Sequence, residues 1–96
     1  MFIISLRYIA SLDEVDRVRP AHFEWLDRQY EAGVFLLSGR RTPPVGGIIL
    51  ARAESREALE AIVAQDPYVK NSVAEVEIIE FEPNKFSEDA RALAGR

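Results

Sequence analysis

His22 is the only histidine in this sequence of 96 residues, and it is the first side chain to consider for proton transfer. Imidazole changes its charge near neutral pH, so histidine can act both as an acid and as a base. At about 100° per residue, helical periodicity places His22 on an apolar arc with Val18 and Leu26. We therefore expect His22 to point into the protein, either as a core histidine with one satisfied hydrogen bond or as a functional group.

Asp66 is the second polar side chain at an apolar position. It lies three residues after Val63, on the apolar side of the second predicted helix and near its end, where the helix dipole disfavours a carboxylate. Something should compensate for that charge. The alternative is that Asp66, followed by Pro67, caps the first turn of a short helical segment.

Both helices are expected to cover the same face of a sheet, so His22 and Asp66 can meet. A carboxylate beside an imidazole orients the ring, selects its tautomer and prepares it for proton transfer. We predict that these two residues form a catalytic pair.

Four further residues are predicted to bind a substrate: Arg7, Ser38, Gly39 and Pro67. Arg7 is a charge in an otherwise apolar strand, and Ser38 with Gly39 ends the second strand, so these groups could hold an anionic or carbonyl oxygen. A salt bridge explains Arg7 equally well, and strand-end turn chemistry explains the Ser-Gly pair. We assign Pro67 to the same pocket because it adjoins Asp66.

The elements that must position these residues follow a simple order. The predicted strands cover 2–9, 34–38, 48–53 and 73–82, and the predicted helices cover 12–32 and 55–65. Pro20 should kink the first helix or divide it in two, and Gly33 should end it. The acidic residues of the last strand change phase near 78–79, which predicts a bulge or a change of surroundings there.

This order is that of a ferredoxin-like βαββαβ domain of the α+β class, with an antiparallel sheet and both helices on one face. The first strand is apolar on both faces, and the helices can cover only one of them. We therefore predict a homodimer in which two sheets pair face to face as a dimeric α+β barrel. The domain should span residues 1–86, and residues 87–96 should form a tail with a short helix capped by Ser87.

Composition excludes several classes of function. The formal net charge of −4 disfavours nucleic acid and anionic membranes as partners. The chain has no cysteine and one histidine, so we expect neither a metal site nor another cofactor. We find no leader or membrane-spanning run, and we expect a cytoplasmic protein.

Several motifs together resemble the YCII-related (YciI-like) family over roughly residues 1–86. They are Arg7-Tyr8, Arg19-Pro20-Ala21-His22, Ser38-Gly39, Gly46-Gly47 and Asp66-Pro67-Tyr68-Val69-Lys70. The resemblance implies a dimeric α+β barrel whose His and Asp, here His22 and Asp66, line the presumed active site. It also implies an activity such as dehydrochlorination of chlorinated hydroxyquinols. This chain has Arg40 where many relatives have proline after Ser-Gly.

The sequence thus predicts a homodimeric enzyme that acts on a small, partly apolar, aromatic or carbonyl-bearing substrate. His22 would be the general acid and base and Asp66 its orienting partner, in an isomerisation, elimination or dehydrohalogenation without a cofactor. One alternative is a dimer that binds a small metabolite or serves as an accessory protein without catalysis. In a third interpretation both residues are purely structural.

Overall fold

The structure is a computed structural model and describes residues 1–94. The elements in chain order are β1 (Phe2–Tyr8), α1 (Leu12–Glu31), β2 (Phe35–Arg40), β3 (Gly46–Ala51), α2 (Arg56–Val63), α3 (Pro67–Lys70), β4 (Ala74–Glu80) and α4 (Arg91–Ala94). The four strands form one antiparallel sheet in the order β2-β3-β1-β4. This confirms the predicted ferredoxin-like α+β topology. No helix within the described residues is long and apolar enough to cross a bilayer.

The caps of α1 are those that its sequence predicts. The Ser11 hydroxyl oxygen accepts a hydrogen bond from the backbone N–H of Glu14 at 3.2 Å. At the other end, Gly33 has a φ of +77°, and the N–H of Val34 donates to the carbonyl of Gln29 at 3.0 Å. A glycine in this left-handed conformation closes the helix and turns the chain into β2.

Pro20 neither divides α1 nor ends it, so the expectation of two consecutive helices is wrong. Proline has no N–H for the carbonyl four residues earlier, and it costs several kcal/mol in an exposed helix. Here the segments on both sides of Pro20 are anchored by buried side chains, Val15 before it and Trp25 after it. Tertiary packing therefore holds one helix of 20 residues.

The register between β1 and β4 runs without a break from Phe2 opposite Glu80 to Tyr8 opposite Ala74. The bulge predicted near residues 78–79 is therefore absent from β4. Glu75 and Glu77 lie on the open face of the sheet, whereas Glu80 lies on the other face, exposed at the last position of the strand. The change of phase therefore reflects different surroundings at the end of β4 and not a bulge. The irregularity of this sheet lies instead in β2, between Phe35 and Leu37.

The core lies between the helices and one face of the sheet. Its buried side chains include Phe2, Ile4, Leu6, Val15, Trp25, Phe35, Ile49, Leu59, Val63 and Tyr68. The indole N–H of Trp25 donates to the carbonyl of Ile62 at 3.2 Å and so ties α1 to α2. This packing fixes α1, which carries His22, with respect to α2, and Asp66 follows the end of α2 by three residues.

No helix within residues 1–94 covers the opposite face of the sheet. The cross-strand register places four apolar residues in one row across all four strands: Leu37, Leu50, Ile3 and Ile79. Leu37 and Ile79 are 51% and 45% exposed. The prediction that β1 is buried on both faces thus holds, within this one chain, only for its helix-covered face.

In the predicted tail, the Ser87 hydroxyl oxygen accepts from the N–H of Ala90 at 3.2 Å in the turn before α4. The last part of the predicted tail, residues 95–96, lies outside the described residues.

Candidate active site

The structure brings His22 and Asp66 together. His22 Nδ1 lies 2.7 Å from Asp66 Oδ1, across 44 residues of sequence. Asp66 is fully buried and His22 is 6% exposed. A carboxylate held so far from water is stabilised only if hydrogen bonds and an opposite charge compensate for its lost hydration. The Nδ1–H group of His22 supplies one such hydrogen bond, and the imidazolium formed when Nε2 takes up a proton would supply the charge.

Asp66 also caps α3, so both alternatives that the sequence left open for this residue are present at once. The backbone N–H of Tyr68 donates to Asp66 Oδ1 at 2.9 Å, and Pro67 occupies the first turn of the helix. One carboxylate oxygen therefore accepts from the ring and from the helix end. The other oxygen, Oδ2, is buried and has no hydrogen-bond partner within residues 1–94.

Tyr68 fixes the plane of the imidazole. Its ring stacks on His22 with centroids 3.8 Å apart and an angle of 11° between the planes. The Trp25 ring also lies beside the imidazole, with the two ring centroids 5.6 Å apart. Burial raises the pKa of the Tyr68 hydroxyl, and the neighbouring Arg19 guanidinium opposes this shift. Tyr68 therefore stays neutral at physiological pH and acts as a rigid wall for the ring.

The hydrogen bond to Asp66 sets the roles of the two ring nitrogens of His22. With Asp66 ionised, Nδ1 carries the proton and Nε2 has the free lone pair. Among the described residues, no group forms a hydrogen bond with Nε2. Since His22 lines a cavity, Nε2 is the nitrogen available to a molecule within it.

The cavity has a volume of about 480 Å³ and lies between α1 and the sheet. Leu6, Leu26 and Ile49 form apolar parts of its wall. At one end the hydroxyls of Tyr30 and Ser38 are hydrogen-bonded to each other at 2.5 Å. A pocket of this size with a few polar groups suits a small ligand.

The other end of the cavity is basic. Arg19 of α1 and Arg40 at the end of β2 line it, together with the rings of Tyr8 and Tyr68. The Arg40 Nε–H donates to the Tyr8 hydroxyl at 3.3 Å. The cavity thus has a neutral polar end, a basic end, and His22 in its lining.

The four predicted substrate-binding residues fall into different places. Ser38 and Gly39 line the cavity. Pro67 is half-buried at the start of α3 and does not line it. Arg7 points to the opposite face of the sheet, where its Nη2 lies 2.6 Å from Glu75 Oε1, so the salt-bridge alternative describes it. The alternation of β1 decides this, because Leu6 and Tyr8 face the cavity and Arg7, between them, cannot.

Sequence reasoning missed four cavity-lining side chains: Tyr8, Arg19, Tyr30 and Tyr68. Two signals were available for Arg19 and Tyr68. Arg19 precedes His22 by three residues and so shares its helix face, and Tyr68 follows Asp66 by two. No such signal was available for Tyr8 and Tyr30, because their place in the cavity lining depends on how β1 and α1 pack.

A family model, the YCII-related domain, matches residues 1–82. This chain belongs to the YCII-related family. The resemblance stated from the sequence motifs is thereby confirmed. A search of the curated proteins gives no match for this YCII-related chain.

Among solved structures, the YCII-related chain is similar to the 5-chloro-2-hydroxyhydroquinone dehydrochlorinase TftG from Burkholderia phenoliruptrix AC1100, in complex with 2,5-dihydroxybenzoquinone. The TM-score is 0.72 at 17% sequence identity, and the match covers 88% of this chain and 96% of the other. At this level of identity the likeness shows a shared fold.

Proposed function

We propose that this YCII-related protein is an enzyme that moves protons on a small ring compound, with His22 as the general acid and base. The observation that carries this proposal is the geometry of His22, whose Nδ1 is held by the buried Asp66 while its other nitrogen is free beside a cavity. Asp66 orients the ring and stabilises the imidazolium when Nε2 accepts a proton. A pair of this kind accelerates reactions by about 10²–10⁴-fold.

The size and lining of the cavity support a substrate with a single, partly apolar, oxygenated ring. TftG acts on a chlorinated hydroxyhydroquinone and its structure holds a dihydroxybenzoquinone. In the present cavity, the hydroxyls of Ser38 and Tyr30 can bind one ring oxygen while Leu6 and Leu26 contact the ring.

The chemistry that fits these groups is a proton shift, with or without loss of a leaving group. In an isomerisation, His22 moves the proton of a ring hydroxyl to a ring carbon. In a dehydrochlorination, the ring carbon that receives this proton also carries the chlorine. A second hydroxyl group then gives its proton to His22, and chloride leaves with the electron pair of the C–Cl bond. One HCl is lost in total, and neither route needs an oxidant or a reductant.

We further propose that the protein is a homodimer that pairs its open sheet faces. The row of Leu37, Leu50, Ile3 and Ile79 supports this, because contiguous exposed apolar surface on a small protein is typical of an interface. Two sheets packed face to face would bury these rows against each other at about 10 Å.

His22→Gln tests the catalytic role. We expect the variant to bind 2,5-dihydroxybenzoquinone within about threefold of the parent, whereas turnover of 5-chloro-2-hydroxyhydroquinone falls by about 10²-fold or more. Titration calorimetry measures binding, and released chloride measures turnover. Glu24→Gln, on the exposed outer side of α1, is the matched control and should retain full activity.

Two results would contradict the proposal. Equal turnover by the parent and His22→Gln would remove the acid-base role. If the parent binds ring compounds but neither releases chloride nor exchanges ring hydrogen for deuterium in D₂O, the protein is a binding module.

A further inference from the structure

The basic end of the cavity has two guanidinium groups that share a single ion-pair partner. The Nη2 atoms of Arg19 and Arg40 lie 2.6 and 3.8 Å from the same oxygen, Oδ1 of Asp16. Two guanidinium groups thus share one carboxylate. Asp27 also lines the cavity, but it lies eight residues along α1 from Arg19, about 12 Å along the helix axis. The buried Asp66 is occupied by His22 and by the N–H of Tyr68. Two guanidinium groups at this end therefore face one carboxylate, Asp16.

Arg19 has more N–H groups than its protein partners can use. Its Nη2 atom is buried and lies 2.6 Å from Asp16 Oδ1, and the guanidinium also interacts with the Tyr68 hydroxyl. A guanidinium has five N–H donors, so one carboxylate oxygen and one hydroxyl leave some of them for another acceptor. An oxyanion placed at this end of the cavity would supply that acceptor.

Arg40 is oriented toward the same place. Its Nε–H donates to the Tyr8 hydroxyl, and the central carbon of its guanidinium lies 5.6 Å from the centre of the Tyr8 ring. This position combines a hydrogen bond with a cation–π contact and leaves the remaining N–H groups of the fork for other acceptors. A planar fork is well suited to a delocalised oxygen anion.

The basic end adjoins the acid-base group. Arg19 and His22 are three residues apart on α1, so their Cβ atoms are about 5–6 Å from each other on one face of the helix. A ligand oxygen bound by Arg19 is therefore within the width of one ring from His22.

We infer that the cavity selects ring compounds that carry an oxygen ionised at neutral pH, a phenolate, an enolate or a carboxylate, which Arg19 and Arg40 bind together. The inference rests on the proposed function in one respect, namely that the reacting atom of the substrate lies next to His22. Arg19 and Arg40 are thus specificity-determining residues, and a substrate without the anion is bound weakly.

Two matched pairs of ligands test this selectivity. The first pair is 2,5-dihydroxybenzoquinone, which ionises, and 2,5-dimethoxybenzoquinone, which cannot. The second is benzoate and benzamide. Titration calorimetry on the full chain should give at least about tenfold tighter binding of the anion in each pair, a preference that falls as salt is added.

Arg40→Gln and Arg19→Gln should each weaken the binding of the anion by about tenfold and leave the binding of the neutral ligand unchanged. Arg41→Gln, an exposed neighbour outside the cavity lining, is the control and should keep the preference. If Arg19→Gln fails to fold, Arg40→Gln decides the test, because its side chain is 40% exposed at the rim.

Three results would overturn the inference. They are equal binding of the anion and its neutral partner, an equal loss of affinity for both ligands in Arg40→Gln, and no binding of either pair of ligands. None of these results would show whether turnover depends on His22. Conversely, an anion preference that depends on Arg40, in a protein without turnover, would support the inference and contradict the proposed enzyme.

Discussion

At the scale of single residues, one oxygen of Asp66 connects the site to the fold. Oδ1 accepts both from His22 Nδ1 and from the N–H of Tyr68, so the same atom orients the imidazole and begins α3. The sequence pointed to each of these roles separately, through a carboxylate on an apolar helix side and through an Asp-Pro pair. It could not show that both hold, because that requires the distance between α1 and α3.

Asp66→Asn separates the charge of this residue from its hydrogen bonds. The amide oxygen of asparagine can still accept from the N–H of Tyr68, so we expect α3 to persist and thermal denaturation to change by only a few degrees. The imidazolium formed in the reaction loses its anionic partner, and turnover should fall by about 10²–10⁴-fold.

Chloride release from 5-chloro-2-hydroxyhydroquinone measures the effect of Asp66→Asn, with far-ultraviolet circular dichroism as a check on folding. Turnover equal to that of the parent would show that the carboxylate is needed for structure alone.

At the scale of elements, α1 and β3 determine the shape of the site. Arg19, His22, Leu26 and Tyr30 recur along one side of α1, and all four line the cavity. The strand β3 approaches β1 closely at Gly46, where a Cβ atom would lie 1.8 Å from the carbonyl oxygen of Leu6. In the sequence this glycine was identified only as part of the Gly46-Gly47 motif. Its true constraint, the approach of two backbones, depends on the register of the sheet.

Gly46→Ala should therefore destabilise the protein more than other glycine substitutions do. Backbone atoms cannot move aside as a side chain can, so we expect a loss of at least about 2–3 kcal/mol in the free energy of unfolding. For a domain of this size that corresponds to a melting temperature lower by about 10 °C or more.

Chemical denaturation of the two chains measures this difference. Gly39→Ala is the control, because a Cβ atom there has no neighbour within 4 Å. Similar stability of the two variants would contradict the backbone contact at Gly46.

At the scale of the whole molecule, the sheet has one covered and one open face. Helices cover Phe2, Ile4 and Leu6, whereas Ile3 and Leu50 lie on the other face with no element above them in residues 1–94. A chain of this length buries a modest core, so an apolar interface would add substantially to its stability.

Leu50→Lys tests the proposed homodimer. Leu50 lies in the apolar row between Ile3 and Leu37, so a lysine there would place a charge in the centre of the paired sheets. We expect the parent to sediment as a dimer and the variant as a monomer at micromolar concentration.

The control is Ala21→Lys, which adds the same single positive charge at an exposed position of α1 and should remain dimeric. A monomeric parent, or a Leu50→Lys protein that remains a dimer, would contradict pairing through this face.

The sequence by itself determined the order of the elements, their caps and the two side chains, His22 and Asp66, that the fold would turn inward. These features depend on local periodicity and on hydrogen bonds between near neighbours, both of which can be read along the chain. The family motifs in the first 86 residues led to the same fold.

Only the tertiary structure decided which polar residues meet the cavity. Arg7 faces away from it and Arg19 lines it, although both are arginines in apolar surroundings. The stacking of Tyr68 on His22 and the shared Asp16 carboxylate likewise join distant segments. Such contacts depend on the packing of helices and strands against one another, which local sequence patterns do not specify.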